Sequence, residues 1–181
     1  MAENTADNPE ETLSRIRTNA ELAVRLSQKL CGFEFGFDQR SVEWLDGFIE
    51  RLRSKPRSDE DDEKYVSIFG SYLGEAIVHS YGGSWAINES GWHIRFDDRN
   101  LVFPFSKVKK QLSSGEEDSI SSFYDAIPII FGTAILETTS ISQQGTAQAP
   151  NRRARAILTD AHFLVPLIAF FIGLTLLIAL H

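Results

Sequence analysis

Apolar residues at 13, 16, 20, 23, 26 and 30 (Leu13, Ile16, Ala20, Ala23, Leu26, Leu30) recur three and four positions apart. That spacing predicts a helix from about Glu11 to Cys31 with one buried face, stopped at Gly32. A second stripe, Val42, Leu45, Phe48, Ile49 and Leu52, predicts a helix capped by Asp38 or Ser41 and ended before Lys55-Pro56. A third helix, about Asp62 to Tyr81, carries Tyr65, Ile68, Phe69, Tyr72, Leu73, Ala76 and Ile77, with Gly82-Gly83 as its stop. Its broad apolar face marks it as the central helix. The acidic run 59–63 just before it lacks the Gly-centred spacing of a calcium loop and is read as a solvated helix start.

The period then changes. Residues 84–88, 92–96 and 101–103 have strand character and are separated by Glu89-Ser90-Gly91 and Asp97-Asp98-Arg99-Asn100. Trp92, Ile94 and Phe96 alternate with His93 and Arg95, which predicts a buried and a wet face and a three-stranded antiparallel meander. Phe105, Val108 and Leu112 mark a short helix whose outer face is assigned Lys107, Lys109 and Lys110. Glu116, Glu117 and Asp118 open another helix bearing Ile120, Phe123, Tyr124 and Ile127, disturbed at its end by Pro128. The apolar run from Ile129 to Leu136 is too short to cross a bilayer and is read as core packing or a strand.

From Glu137 to Pro150 the composition turns to Thr, Ser, Gln, Gly and Ala, linker chemistry with an r.m.s. reach on the order of 20 Å. From Phe163 to Leu180 the chain carries no charge, with Thr175 as its one polar side chain. As a helix this segment spans roughly 27 Å, close to the thickness of a hydrocarbon core. Its apolar residues occupy every face, so a single transmembrane anchor is the expectation. Arg152, Arg153 and Arg155 precede the span and only His181 follows it. By the positive-inside rule, the N-terminal domain is expected in the cytoplasm and the C-terminus outside, as in a tail-anchored single-pass protein. The expected organisation is thus a disordered start (1–10), a globular α+β domain (11–136), a linker and juxtamembrane segment (137–161) and an anchor (162–181).

Charge narrows the partners. Lys and Arg total 18 against 25 Asp and Glu, a net charge of −7, and this acidic balance argues against nucleic acid, whose phosphates need a basic face. Cys31 is the one cysteine, so the chain cannot form an internal disulfide or a thiol-rich metal cage, and a reducing compartment fits. Residues 1–15 have neither a basic n-region nor an apolar h-region, and no secretory signal is read there.

Candidate chemistry is sparse. Ser71, in Gly70-Ser71-Tyr72-Leu73-Gly74, stands second rather than third between its glycines and on a helix, so it is not read as a nucleophile elbow; the glycines instead suit close approach of another element. Glu75 and His79 lie one turn apart and could form half a metal site, but a local Glu-His hydrogen bond is the plainer expectation. His93 is expected at the surface beside Arg95, and Cys31 is expected to pack at a helix end rather than to be activated. No Gly-rich phosphate loop, His-Glu-x-x-His or double-Cys zinc spacing occurs, and no cofactor is expected.

Four segments together resemble an uncharacterised bacterial domain family: Gly70 to Glu75, Gly83-Ser84-Trp85, Pro104 to Lys110, and Gly115 to Ile120. The resemblance spans roughly Gly70 to Tyr124. It implies a compact α+β fold and a bacterial source, and supplies no activity or catalytic residues.

The functional expectation is a membrane-tethered, non-enzymatic interaction or regulatory module with an unidentified protein partner. Its binding surface is expected around Trp85, Trp92, Phe105, Lys107, Lys109 and Lys110, since aromatics beside basic residues commonly anchor binding. The alternative is a hydrolase-like or metal-dependent enzyme using Glu75, His79 and His93, which would have to converge from separate elements.

Overall fold

A computed structural model of the chain describes residues 8–131, and the expected linker and anchor lie outside them. Five helices pack on a three-stranded antiparallel sheet of order β1-β2-β3, an α+β architecture. The helices are α1 (Pro9–Cys31), α2 (Gln39–Arg53), α3 (Asp59–Tyr81), α4 (Pro104–Ser114) and α5 (Ile120–Ile130); the strands are β1 (Ser84–Asn88), β2 (Gly91–Arg95) and β3 (Leu101–Val102). Among the described residues, no helix is long and apolar enough to cross a membrane.

Helix starts follow side-chain caps. Asn8 accepts from the Glu10 amide and Pro9 sits in the first turn, so the helix already includes Pro9 and Glu10, residues expected to be disordered. Ser58 and Asp61 form a reciprocal capping box, which draws the acidic residues into the first turn of α3 and starts it at Asp59 rather than Asp62. Ser119 caps α5, leaving Gly115–Asp118 as a separate 3-10 turn before it. Helix α5 runs through Pro128, so Ile129 and Ile130 are helical and 83% and 65% exposed. At these two positions the expectation of core packing or a strand is overturned: Ile129 lies opposite the buried stripe of Ile120, Tyr124 and Ile127, and Ile130 at its solvent edge.

Helix α3 is buried around much of its circumference, from Tyr65 to Ile77. On one side it meets α1, whose buried positions are Thr12, Ile16, Ala20, Ala23 and Ser27. Leu13, Leu26 and Leu30, expected in the buried stripe, are half-buried, because small side chains line the seam where the two helices meet. On another side Gly70 and Gly74 open the helix surface. A Cβ at Gly70 would lie 2.4 Å from Phe105 Cδ1 and 2.9 Å from Phe105 Cα, and one at Gly74 would lie 2.1 Å from Trp85 Cζ2. The first glycine thus admits the start of α4, and the second admits β1.

A polar knot joins α2 to the α4–α5 corner. The Asp46 carboxylate accepts from Gln111 Nε2 (3.0 Å), Ser119 Oγ (2.7 Å) and the Ser121 amide (3.1 Å). Gln111 is 0% exposed, and its Oε1 accepts from the Ile120 amide at 3.1 Å. Arg57 ties the α2–α3 loop to the same region, pairing with Asp62 at 2.6 Å and donating to the Leu52 and Leu112 carbonyls.

Two substitutions test this packing. Gly74→Ala should destabilise the domain by about 1–3 kcal/mol, since its methyl overlaps a fixed indole, and chemical denaturation read by tryptophan fluorescence measures it. Gln111→Leu should cost about 1–3 kcal/mol by stranding the Ile120 amide, and in a double-mutant cycle with Asp46→Ala the two losses should not add.

Candidate functional site

Strand pairing sets which side chains meet. Trp85 lies opposite Ile94 and Ile87 opposite Trp92, so these four share one face of the sheet. Trp85 lies over Gly74, and its indole N–H donates to Glu75 Oε1 at 2.8 Å. Its ring is 6.4 Å from Trp92 and 5.7 Å from Phe105, which itself lies on Gly70. Trp85, Trp92 and Phe105, three of the residues expected at a binding surface, therefore form one half-buried cluster on the glycine face of α3.

Two grooves meet at Phe105. The smaller, about 240 Å³, lies between α1 and the cluster and is lined by Thr12, Arg15, Ile16, Asn19, Ser67 and Trp92. The larger, about 540 Å³, lies between the start of α3 and α4, with Val66 and Leu112 beneath Asp59, Asp62, Glu63 and Lys109. Ser67 borders both; it is exposed and accepts a hydrogen bond from Asn19 Nδ2 at 3.1 Å.

The three lysines do not share the outer face assigned to them. Positions 107 and 110 fall on one side of α4 and position 109 on the other, as a 3.6-residue period requires. Lys107 pairs with Asp118 at 2.9 Å and, with Lys110, borders a third groove between β3, α4 and α5. Hydrogen bonding from Lys107 holds the Asp118 carboxyl below its ordinary 3.8. Lys109 alone reaches the grooves at Phe105.

The enzyme candidates point three ways. Glu75 is engaged by Trp85 rather than by His79, and the His79 ring lies 6.2 Å from Phe37. His93 is 3% exposed, not at the surface: its ring lies 5.3 Å from Phe103, and its Nδ1 is 3.1 Å from the Gly91 carbonyl oxygen. Alternation along β2 identifies the residues that share a face, but that face is covered at His93 while Arg95, two residues on, is exposed. Ser71 is fully buried and donates to the Ser67 carbonyl at 2.7 Å, a helical back-bond that leaves its hydroxyl without access to substrate. Cys31 is half-buried, with its thiol 3.0 Å from the Phe33 carbonyl oxygen. Among the described residues, no three His, Cys, Asp or Glu side chains gather to hold a metal ion.

Sequence reasoning missed the polar knot, although its signal was present. Asp46 falls in the stripe Val42, Leu45, Ile49 and Gln111 in the stripe Val108, Leu112, and a polar residue on an apolar stripe must find a buried partner.

Compared with protein-family models, curated proteins and solved structures, the chain has no match in any of the three.

Electrostatics near α5 give a pH test. Partial desolvation, then repulsion from Glu43, raises the Asp125 carboxyl above its ordinary 3.8. A raised acid weakens the fold while ionised, and that penalty fades as pH falls through the folded-state value. Asp125→Asn should therefore raise Tm at pH 7, and the gain over wild type should shrink in thermal melts as the buffer is taken below about pH 4.

Proposed function

We propose that this chain is a membrane-tethered, non-enzymatic interaction module whose partner is a protein bound at the Phe105 ridge. The observation that carries the reading is the pair of grooves meeting at Phe105, a ring that stands on Gly70 beside Trp85, with Trp92 bordering the smaller groove. Aromatic side chains held rigidly beside concave apolar surface lose little conformational entropy when a partner covers them. The groups that a catalytic reading would use lie in different neighbourhoods: Glu75 accepts from Trp85, the His79 ring lies beside Phe37, and His93 is set against the Gly91 carbonyl. The acidic rim of the larger groove favours a partner segment that brings at least one basic side chain.

In this reading residues 163–180 hold the module at the bilayer, with Arg152, Arg153 and Arg155 keeping it on the cytoplasmic side. The likeness of Gly70 to Tyr124 to a bacterial domain family fits such a module and adds no chemistry. A linker from Glu137 to Pro150 would let the ridge search a volume around its anchor, raising the local concentration of a partner in the same membrane.

The test is affinity capture from detergent-solubilised membranes using the full chain, a version ended after Pro150, and Ser67→Arg. Ser67 borders both grooves and is exposed, so an arginine there should block them with the melting temperature unchanged. The expected result is one protein retained by the full and shortened chains and lost, by at least about tenfold, with Ser67→Arg. Capture unaffected by Ser67→Arg would move binding away from the ridge, and loss on shortening alone would move it to the span. Alkaline carbonate extraction should leave the full chain in the membrane pellet and release the shortened one.

A further inference from the structure

The third groove, about 500 Å³, opens between β3, α4 and α5 and shares no lining residue with the two grooves at Phe105. Its walls are largely apolar, with Val102, Phe103, Phe123, Ile127 and Ile130 among them. The polar residues that line it are Ser90, Ser106, Lys107 and Lys110. Both charged ones are cations, and among the described residues no carboxylate lines the groove. That sign runs against the chain as a whole, whose net charge is −7, and against the larger groove at Phe105, which carries Asp59, Asp62 and Glu63.

Lys107 and Lys110 are one turn apart on α4 and reach the groove from the same side. Lys107 is held in place there, with its Nζ 2.9 Å from Asp118 Oδ1 and 5.8 Å from the centre of the Phe123 ring, which is part of the wall. An ammonium has three N–H donors, and the bond to Asp118 uses one of them. Lys110 is exposed at the rim. Asp118, on which both lysines act, sets one negative charge against their two, so a single further anion would balance the pair. The groove falls within the roughly 300–1,000 Å³ of pockets that enclose small molecules. That is far more than a bare inorganic anion fills, and its apolar walls gain nothing from one.

We propose that this groove binds a monocarboxylate with an apolar body, of the fatty-acid type. The hydrocarbon lies along Phe103, Ile127 and Ile130, and the carboxylate accepts hydrogen bonds from the ammonium groups of Lys107 and Lys110, with the Ser106 hydroxyl as a further donor. A neutral amphiphile of the same length would leave both ammonium groups unengaged, and a cationic one would be repelled. Such a site is independent of the expected anchor and of any partner at the Phe105 ridge.

Isothermal titration of octanoate into the full chain in a neutral maltoside detergent, with protein-free detergent as the blank, tests the site. Saturable binding of one octanoate per chain is expected, with a Kd of about 0.1–1 mM for so small a ligand. Hexanoate should bind at least about fivefold more weakly, because it buries two methylene groups fewer. Octanamide, which keeps the length and loses the charge, should bind at least about tenfold more weakly than octanoate. Lys110→Glu should weaken octanoate by at least about tenfold with Tm unchanged, whereas Lys109→Glu, on the opposite side of α4, should leave its binding as in the wild type. No saturable octanoate binding, equal binding of octanamide, or octanoate binding that survives Lys110→Glu would overturn the proposal. Lys110-dependent binding of phosphatidylglycerol carried in the same micelles, without binding of octanoate, would assign the two lysines to a lipid headgroup and also overturn it.

Discussion

The rest of the structure depends on how closely other elements can approach α3. A helix buried on several sides needs a different surface toward each neighbour. Toward α1 the contact runs through Ala20, Ala23 and Ser27, side chains small enough for two helix backbones to come close. Toward α4 and β1 it runs through Gly70 and Gly74, where a methyl group would overlap Phe105 or Trp85. Toward α2 it is aromatic, with Phe48 set edge-on against Phe69 at 5.9 Å. The two glycines weaken the helix intrinsically, by about 1 kcal/mol each relative to alanine. What offsets that loss is the burial of two large aromatic rings that could not otherwise reach the helix.

The same constraint produces the candidate site. Because Gly70 and Gly74 are one turn apart, Phe105 and Trp85 are drawn together from segments twenty residues apart in the chain, and Trp92 follows Trp85 through the β1–β2 pairing. The Trp85–Glu75 hydrogen bond fixes the indole on the helix that supports it. The ridge is therefore as rigid as the core beneath it, and the grooves beside it are the gaps left where α1 and α4 diverge from α3. The polar knot at Asp46 and Gln111 acts at the other end of α4, holding the helix that carries Phe105 against α2. One end of α4 is positioned by an absence of side chain, and the other by directional hydrogen bonds.

Much of this was legible in the sequence where a period is long and uninterrupted. The stripes at Val42 to Leu52 and Tyr65 to Ile77 gave α2 and α3 directly, and the glycine pair pointed to a close approach before its partners were known. Prediction failed where a local rule had to stand in for tertiary contact. A period of two cannot say that the wet face of β2, exposed at Arg95, is covered at His93. Reading Lys107, Lys109 and Lys110 as one patch treated nearness in sequence as nearness on a helix, although a step of two residues turns the helix by about 200° and places 109 opposite 107. The acidic run does form the solvated start of α3, but the helix begins at Asp59 rather than Asp62 because the capping box of Ser58 and Asp61 sets its first turn. At α5, Pro128 was expected to disturb a helix that in fact continues to Ile130.

The distribution of polar groups bears on function as well as on fold. A catalytic site concentrates groups whose hydrogen-bonding capacity is held ready for substrate. In the described residues the Trp44 indole N–H is buried without a hydrogen-bond partner, while the other buried polar groups named above are spent on the fold itself: Gln111 on Asp46 and Ile120, Ser71 on Ser67, Tyr72 on the Gly36 carbonyl, and Tyr124 on Ser80. In the proposed reading the partner surface is concave, with Phe105 and Trp92 as its aromatic residues and Arg15, Asp59, Asp62, Glu63 and Lys109 as its charged ones. That arrangement suits recognition, in which desolvated apolar area supplies affinity and rim charges select among partners. A rigid ridge on a tethered domain would need only modest intrinsic affinity, because confinement to one membrane raises the effective concentration of any partner held there.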